Sequence, residues 1–394
     1  MDRSDFSFLI ARLERHAANS PRTYALKVAA LAVLGYLALF FFAAAIVVCL
    51  WMLVRVCLAG SLSMQLTGVL VGSAVFGVAA LWKLVRALCV VDIHEPAGIR
   101  ITPEQAPKLF DTIHEMSRKM GGLKLHSVSV SNQLTACILQ KPMWGVFGNY
   151  HNHLMLGLPL VAALSVDELK SVLAHELGHV SGARGKFRAW ICRQRATWQA
   201  LAVKFRGSSN LFEQIVFAAH AWYAPYFYAY TFVLARSREY DADRAAAEAT
   251  NAHTIGGALL KLNLVARFLG EVFWKRLFDQ MTRVPAPPYM PYAAMPRALQ
   301  IAEKEWARRD WMQQSLRVVA DDDDTHPSLS ERLGALEVEP LLPKYQPERS
   351  ALRLLEPIAP VLVRRFDDRW RADVLTEWKS RYAAHQAEPT RRAS

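Results

Sequence analysis

Two long apolar stretches dominate the first quarter of the chain. Residues 28–54 contain no charged side chain, and neither do residues 56–82. At 1.5 Å per residue, a helix over either stretch would be about 40 Å long, which exceeds the ~30 Å hydrocarbon core of a bilayer. A cleavable signal peptide has a shorter apolar core of about 7–15 residues. The pattern therefore predicts a transmembrane hairpin over residues 28–90, with a turn containing Gly and Ser at 58–63.

Basic residues flank this hairpin unequally. Five of them precede the first stretch: Arg3, Arg12, Arg15, Arg22 and Lys27. Only Arg55 lies at the turn. Because positive flanks favour the cytosolic side, we expect both ends of the hairpin in the cytosol, in an integral protein of an inner or plasma membrane. Residues 1–27 form an N-terminal cytosolic segment, and we expect its apolar stripe to lie along the bilayer. This stripe consists of Phe6, Leu9, Ile10 and Leu13.

The rest of the chain alternates between helical and strand periodicity. Residues 103–120 repeat their apolar positions as a helix does, whereas residues 127–134 and 152–158 alternate as strands. Ser165 and Glu168 have the spacing of a capping box and precede another helical run. The predicted fold class is α+β and mostly helical, with a small β-sheet in the body.

The strongest chemical signal is the segment His175-Glu176-Leu177-Gly178-His179. Its i, i+4 spacing places both imidazoles on one face of the predicted helix, where they can bind one Zn²⁺ ion. Glu176 follows the first histidine, so its carboxylate can take a proton from the attacking water as a general base. The motif therefore predicts a catalytic zinc site.

Two histidines need a third protein ligand. The third histidine of metzincins would fall on Gly185, so it is missing here. A carboxylate from a later helix is the other solution, and residues 239–243 open an Ala-rich helical run. Glu239 and Asp243 share one face of that helix. We therefore predict that Glu239 binds zinc and that Asp243 accepts a hydrogen bond from an imidazole N–H.

Three segments together resemble peptidase family M48, a family of membrane-linked gluzincins that includes the CAAX prenyl proteases. They are residues 175–179 (HELGH), 237–243 (SREYDAD) and 325–333 (THPSLSERL). The resemblance covers roughly residues 95–340 and implies a gluzincin metalloprotease domain. The chain departs from the family at residues 132–136 (NQLTA), where the substrate-binding edge strand usually carries an Asn-Ala pair.

The resemblance also implies roles for single residues. The implied zinc ligands are His175, His179 and Glu239, and the implied general base is Glu176. His326 lies in a turn that the family places near the metal, so it is a candidate catalytic residue, with a capping or loop role as the alternative. Arg332 either orients a neighbouring carboxylate or forms an ordinary pair on a helix surface.

The stretch between the predicted metal ligands is strongly basic. Residues 181–210 carry seven lysines and arginines, no acid, and interleaved aromatic residues. The whole chain has a formal net charge of +12, which suits an anionic partner. No nucleic-acid-binding motif accompanies the stretch. We therefore expect no nucleic-acid partner and predict an interfacial helix on anionic lipid headgroups.

Residues 214–235 form a further uncharged run. A single membrane crossing there would place Glu239 on the opposite side of the bilayer from His175 and His179. We therefore predict a helix at the membrane surface or in the protease core, with a re-entrant pair as the alternative.

The cysteines and the C-terminal segment complete the organisation. Five scattered cysteines without a C-x-x-C pair argue against a disulfide framework and against a thiolate zinc site. We predict a zinc metallopeptidase domain over residues 91–345, followed by a helical tail over residues 346–394.

These observations predict a zinc-dependent, membrane-anchored endopeptidase. It would act on protein or peptide substrates at the cytosolic face, in quality control of membrane or membrane-proximal proteins. One alternative is a zinc-stabilised membrane holdase or scaffold without catalysis. A CAAX-type prenyl-protein protease is a second alternative, although that type encloses a chamber of many spans and the sequence shows only two.

Overall fold

The computed structural model describes residues 3–59, 64–89, 98–144, 147–319 and 326–392. The helices in the first half of the chain are α1 (Arg3–Asn19), α2 (Pro21–Leu58), α3 (Met64–Cys89), α4 (Pro107–Lys119), α5 (Leu158–Ala163), α6 (Val166–Val180) and α7 (Gly182–Phe205). Those in the second half are α8 (Leu211–Ala249), α9 (Ala252–Phe268), α10 (Lys275–Phe278), α11 (Pro291–Arg308), α12 (Trp311–Leu316), α13 (Leu329–Ala335) and α14 (Ala359–Arg392). The predicted α+β class with a helical majority is confirmed.

Helices α2 and α3 fulfil the length and composition requirements of membrane spans. Pro21–Val56 and Gln65–Arg86 are long and apolar enough to cross a bilayer. Only 11% and 17% of their most apolar windows are buried inside the protein, which fits helices that face lipid. The centre of the predicted turn, residues 60–63, lies outside the described residues.

One mixed sheet lies in the body. Its strands are β1 (Gly98–Ile101), β2 (Ser127–Ser131), β3 (Ala136–Trp144) and β4 (Phe147–Gly157), in the spatial order β1-β2-β4-β3. The β2–β4 pair is parallel and the other two pairs are antiparallel. The predicted strands correspond to β2 and β4, whereas β1 and β3 were not predicted. β3 is an edge strand, so its outer side has no partner strand within this sheet.

The described residues bury two main apolar clusters. The larger one lies between the sheet and helices α4, α6, α9 and α11. The second lies where α1, α2, α7 and α8 meet, and Val28, Trp198 and Phe227 are buried in it. Helix α8 belongs to both regions, because it packs against α6 as well as against α1 and α2. Its 39 residues extend over about 58 Å.

The apolar stripe of α1 faces protein and not lipid. Ile10 and Leu13 are buried in the second cluster, against α8. Glu14 accepts a hydrogen bond from Arg236 Nη1 of α8 at 2.7 Å, which fixes the helix further. The prediction that this stripe lies along the bilayer is wrong, because an apolar stripe does not distinguish a protein neighbour from a lipid one.

The predicted helical tail forms α14 and packs on the body. Trp378 is fully buried, and its Nε1–H donates to the carbonyl oxygen of Val284 at 2.9 Å. Asp367 accepts hydrogen bonds from the backbone N–H groups of Tyr292 and Ala293 at 2.8 and 3.1 Å. It therefore satisfies donors in the first turn of α11, which carry no partner within their own helix.

Candidate metal centre

Helix α6 carries the two motif histidines. Its start is fixed by the predicted capping box: Ser165 Oγ accepts from the Glu168 N–H at 3.3 Å, and Glu168 Oε2 accepts from the Ser165 N–H at 2.7 Å. Lys261 of α9 forms an ion pair with Glu168 at 2.6 Å. The helix therefore begins at a defined residue and has a defined rotation, which orients both histidines toward α8.

Helix α8 brings a carboxylate to these histidines. The two helices approach closely where Gly178 faces Ala242. Glu239 lies three residues before Ala242 and is buried, with 5% of its surface exposed. The structure thus brings together His175, His179 and Glu239, which are far apart in sequence.

The atoms of these three side chains point at one another. His175 Nε2 lies 3.0 Å from His179 Nε2. Glu239 Oε1 lies 3.2 Å from His179 Nε2, and Glu239 Oε2 lies 3.6 Å from His175 Nε2. Nitrogen and oxygen ligands at ~2.0–2.1 Å from one tetrahedral Zn²⁺ ion lie about 3.3 Å from each other. The spacing of the three side chains therefore fits a zinc ion between them.

One further observation supports this fit. Glu239 Oε2 is a buried oxygen without a hydrogen-bond partner. An unsatisfied buried carboxylate oxygen costs free energy unless a cation or a donor compensates it. Two imidazoles and one carboxylate are the donor set of the His₂Glu catalytic zinc site.

Asp243 and Arg332 surround the first histidine on its other side. Asp243 Oδ1 lies 2.9 Å from His175 Nδ1, so it can accept the proton of that ring nitrogen. Arg332 of α13 donates from Nε to Asp243 Oδ2 at 2.8 Å and from Nη2 to Oδ1 at 2.6 Å. This contact leaves His175 Nε2 free to face Glu239 and His179, as a metal ligand requires.

Burial and neighbouring charges shift the pKa values of the residues in this site in different directions. Burial lowers the pKa of His175, but the carboxylates of Asp243 and Glu239 outweigh burial and raise it above its ordinary value. Burial is also the largest influence on His179, and the pKa of that imidazole stays below its usual range. Burial raises the pKa of Glu239, yet the two histidines outweigh burial and hold it well below normal. The cluster therefore keeps a carboxylate anion beside its imidazoles.

Glu176 lines a cleft beside the three clustered side chains. Burial raises its pKa above the ordinary value of a glutamate. Together with His179 it lines a cavity of about 270 Å³ between β3 and α7. A carboxylate with an elevated pKa beside a metal-ligand set has the position and the basicity of a general base.

His326 lies at the open side of the cluster. Its Nε2 is 4.0 Å from Glu239 Oε2, and 61% of its side chain is exposed. The following helix, α13, begins with a capping box between Ser328 and Glu331, which holds Arg332 against Asp243. His326 therefore lies near the predicted metal ligand Glu239, and Arg332 contacts the carboxylate of Asp243.

The basic stretch after the motif forms helix α7, as predicted, and its apolar face is buried in the protein. Trp198, Leu201 and Phe205 are buried in the cluster that α7 shares with α2 and α8. This face therefore packs against protein, and the predicted interfacial position of α7 stays a prediction. Contact of the exposed Lys186 and Lys204 with anionic headgroups stays a prediction.

The uncharged run 214–235 is part of the continuous helix α8. One face of it is buried in the protein through Tyr223 and Phe227, whereas Trp222 on another face is 70% exposed. This agrees with the predicted helix in the protease core. Among the described residues, only α2 and α3 meet the criteria for a membrane span.

The residues that form the cleft wall were not predicted from the sequence. Cys137 on β3 and Arg188 on α7 line the cavity that contains Glu176. Residues 136–144 lack clear alternation, and the basic residues of α7 were assigned together to a lipid surface. A helical projection of α7 shows on which face of the helix each basic residue lies. This is the signal that would have distinguished Arg188 from the other basic residues.

The geometry defines a class of protein. One helix supplies two histidines and an adjacent glutamate, a second helix supplies a third ligand, and a cleft opens beside them; this is the arrangement of a metal-dependent peptidase. Comparison with known families agrees: residues 145–339, about half of the chain, match the model of peptidase family M48. The chain belongs to peptidase family M48 and is a metalloendopeptidase. No curated protein and no solved structure matches the chain.

Proposed function

We propose that this protein is a zinc-dependent, membrane-anchored endopeptidase that degrades membrane or membrane-proximal proteins at the cytosolic face. The observation that carries the proposal is the buried His175, His179 and Glu239 cluster, with Glu176 in the adjoining cleft. Two candidate spans directly precede the body, so substrates near the bilayer are the closest ones available.

Each side chain of the site has one task in this proposal. His175, His179 and Glu239 would hold the zinc ion, while Asp243 fixes the ring of His175. Bound zinc would polarise the scissile carbonyl and make a water molecule more acidic. Glu176 accepts the proton of the attacking water and returns it to the leaving amine. His326, on the open side, donates a hydrogen bond to the developing oxyanion.

The edge strand suggests how a substrate is held. β3 pairs with β4 on one side only, and Cys137 and Ile138 of β3 line the cleft beside Glu176. An extended peptide can add to the free edge through backbone hydrogen bonds, which do not depend on its sequence. This mode of binding suits a protease that accepts unfolded segments.

Zinc content and cleavage measured on the same variants test the proposal. We expect the full-length protein, purified in detergent, to contain zinc and to cleave casein until a chelator is added. Glu176→Gln should retain zinc while cleavage falls by at least about 10²–10⁴-fold, because the amide cannot accept the proton. Glu239→Gln should lose zinc and cleavage together, because an amide is a poor third ligand.

Asp167→Asn is the matched control. Asp167 is an exposed acid on the same helix and should tolerate the change in both measurements. Cleavage by Glu176→Gln at the wild-type rate would contradict the assigned mechanism. A wild-type protein that binds zinc, cleaves nothing and suppresses aggregation as well as Glu176→Gln does would instead be a holdase.

A further inference from the structure

A cavity lies beside the metal ligands. It lies between β3 and α7, holds Glu176 and His179 among its lining residues, and has a volume of about 270 Å³. A peptide that adds to the β3 edge would direct one of its side chains into this space, because side chains alternate along an extended strand.

The two walls of the cavity differ in character. Ile138 and Leu139 of β3 make one wall apolar, whereas Arg188 and Arg193 bring two positive charges from α7. Glu176 is the one acidic side chain among the described residues that line the cavity. The cavity therefore has an excess of positive charge, close to the site of the reaction.

The two arginines are placed differently. Arg193 lies over the ring of Tyr150, with its guanidinium carbon 4.6 Å from the ring centre. Its guanidinium therefore already makes a cation–π contact within the protein. Arg188 is partly buried and forms no ion pair with any carboxylate in the described parts of the chain.

A partly buried guanidinium without a carboxylate partner has lost part of its hydration, and an anion that enters the cavity would compensate this loss. Arginine binds carboxylates through two parallel hydrogen bonds, and such charged contacts are about twice as strong as neutral ones. Glu176 cannot be that partner throughout the reaction, because it has to accept and release a proton. A carboxylate of a bound substrate is therefore an anion that can reach Arg188 in this cavity.

We propose that Arg188 binds a carboxylate of the substrate and makes the enzyme selective for peptides with an acidic group at the residue that enters this cavity. The inference rests on the proposed peptidase function and specifies its substrates. The carboxylate can come from an Asp or Glu side chain or from the C-terminus of the peptide. Removal of the charged contact corresponds to about a 10- to 100-fold change in kcat/KM.

A peptide series tests the selectivity and distinguishes the two sources. The parent peptide is neutral and blocked at both ends, and its cleavage site is mapped by mass spectrometry. Glu, Gln or Lys is then placed at each position around that site, and a further peptide is neutral but has a free C-terminus. With zinc-loaded full-length enzyme, we expect Glu at one position to raise kcat/KM at least about tenfold over Gln. A gain confined to the free C-terminus would assign the contact to that carboxylate.

Three variants connect the selectivity to Arg188. Arg188→Met should bring the ratio of kcat/KM for the Glu and Gln peptides close to one. Arg188→Glu should reverse the preference toward the Lys peptide. Lys186→Met is the matched control, because Lys186 is an exposed basic residue on the same helix outside the cavity, and it should keep the wild-type ratio.

Several outcomes would overturn the inference. One is a wild-type enzyme that cleaves the Glu, Gln and Lys peptides equally well, a result that needs no variant to fold. Another is an equal fall in kcat/KM for all peptides in Arg188→Met, which would make Arg188 a positioning residue for Glu176. If the zinc-loaded wild type cleaves no peptide, the proposed function fails and this inference fails with it.

Discussion

Arg332 holds Asp243 with two hydrogen bonds, at 2.8 and 2.6 Å, and Asp243 in turn contacts the ring nitrogen of His175 that faces away from the metal cluster. Arg332 and Asp243 come from different helices, α13 and α8, so their contact joins the C-terminal part of the body to the site. The same guanidinium lies 3.9 Å from Glu239 Oε2 and compensates part of the negative charge there.

This contact predicts the effect of losing either partner on metal binding. Asp243→Asn and Arg332→Met should each weaken zinc affinity by about 10–100-fold, because the ring of His175 is no longer held in the orientation and tautomer that bind metal. Competition with a fluorescent chelator measures the affinity. Arg244→Met, which changes an exposed arginine on α8, is the control. Unchanged affinity in both variants would make the pair a structural contact only.

His326 should affect the rate and leave the metal in place. It lies at the open side of the cluster, 4.0 Å from Glu239, and is mostly exposed. His326→Ala should lower kcat by about 10²–10³-fold, the usual effect of losing one donor to an oxyanion, while zinc content stays at the wild-type level. His253→Ala removes another exposed histidine and should have no effect. Wild-type kcat in His326→Ala would restrict His326 to a loop role.

The contact between Lys83 and Glu213 should contribute to stability. Glu213 of α8 is 1% exposed and accepts a hydrogen bond from Lys83 Nζ of α3 at 2.8 Å, while 45% of the lysine side chain remains exposed. Lys83→Met leaves a buried carboxylate without its cation, which costs more than the loss of an exposed pair. We expect a fall in the unfolding midpoint of about 2 °C or more in detergent. Lys204→Met, an exposed lysine on α7, should leave the midpoint unchanged.

The orientation in the membrane is open to a direct test. The basic flanks predict that both ends of the α2–α3 hairpin face the cytosol. A reporter enzyme active only in the cytosol should therefore work when fused after Ser394, and one that needs the opposite side should fail. The reverse result would place the catalytic body on the other side of the membrane.

Local signals in the sequence predicted the first half of the site. The capping box at Ser165 and the spacing of His175 and His179 depend on one helix alone, so they could be predicted from residues close together. Glu239 and Asp243 required an argument from chemistry, because only the packing of α8 on α6 brings them to the histidines. Glu239 could be predicted without knowledge of this packing only because a zinc site with two histidines needs a third protein ligand.

The wrong prediction for the α1 stripe and the missed strand β3 also have physical explanations. The stripe of α1 was assigned to lipid, because an apolar face has the same pattern whether protein or lipid covers it. Strand β3 was not predicted, because residues 136–144 lack clear alternation; the strand also contains Pro142, which lacks the N–H that a central strand needs. Proline is tolerated at an edge, and β3 lies at the edge of the sheet.

Helix α8 connects the N-terminal helices to the metal site, so the catalytic body cannot simply be separated from them. One part of it supplies Glu239, and the other packs through Tyr223 and Phe227 on α1 and α2. The hydroxyl of Tyr223 donates a hydrogen bond to the backbone carbonyl oxygen of Leu31. The hydroxyl of Tyr24 donates one to the backbone carbonyl oxygen of Tyr230. The N-terminal helices are therefore not a detachable tether. A recombinant fragment that begins at residue 98 would carry an uncovered aromatic surface, and replacing the anchor with an unrelated span would alter the folding of the helix that completes the metal site.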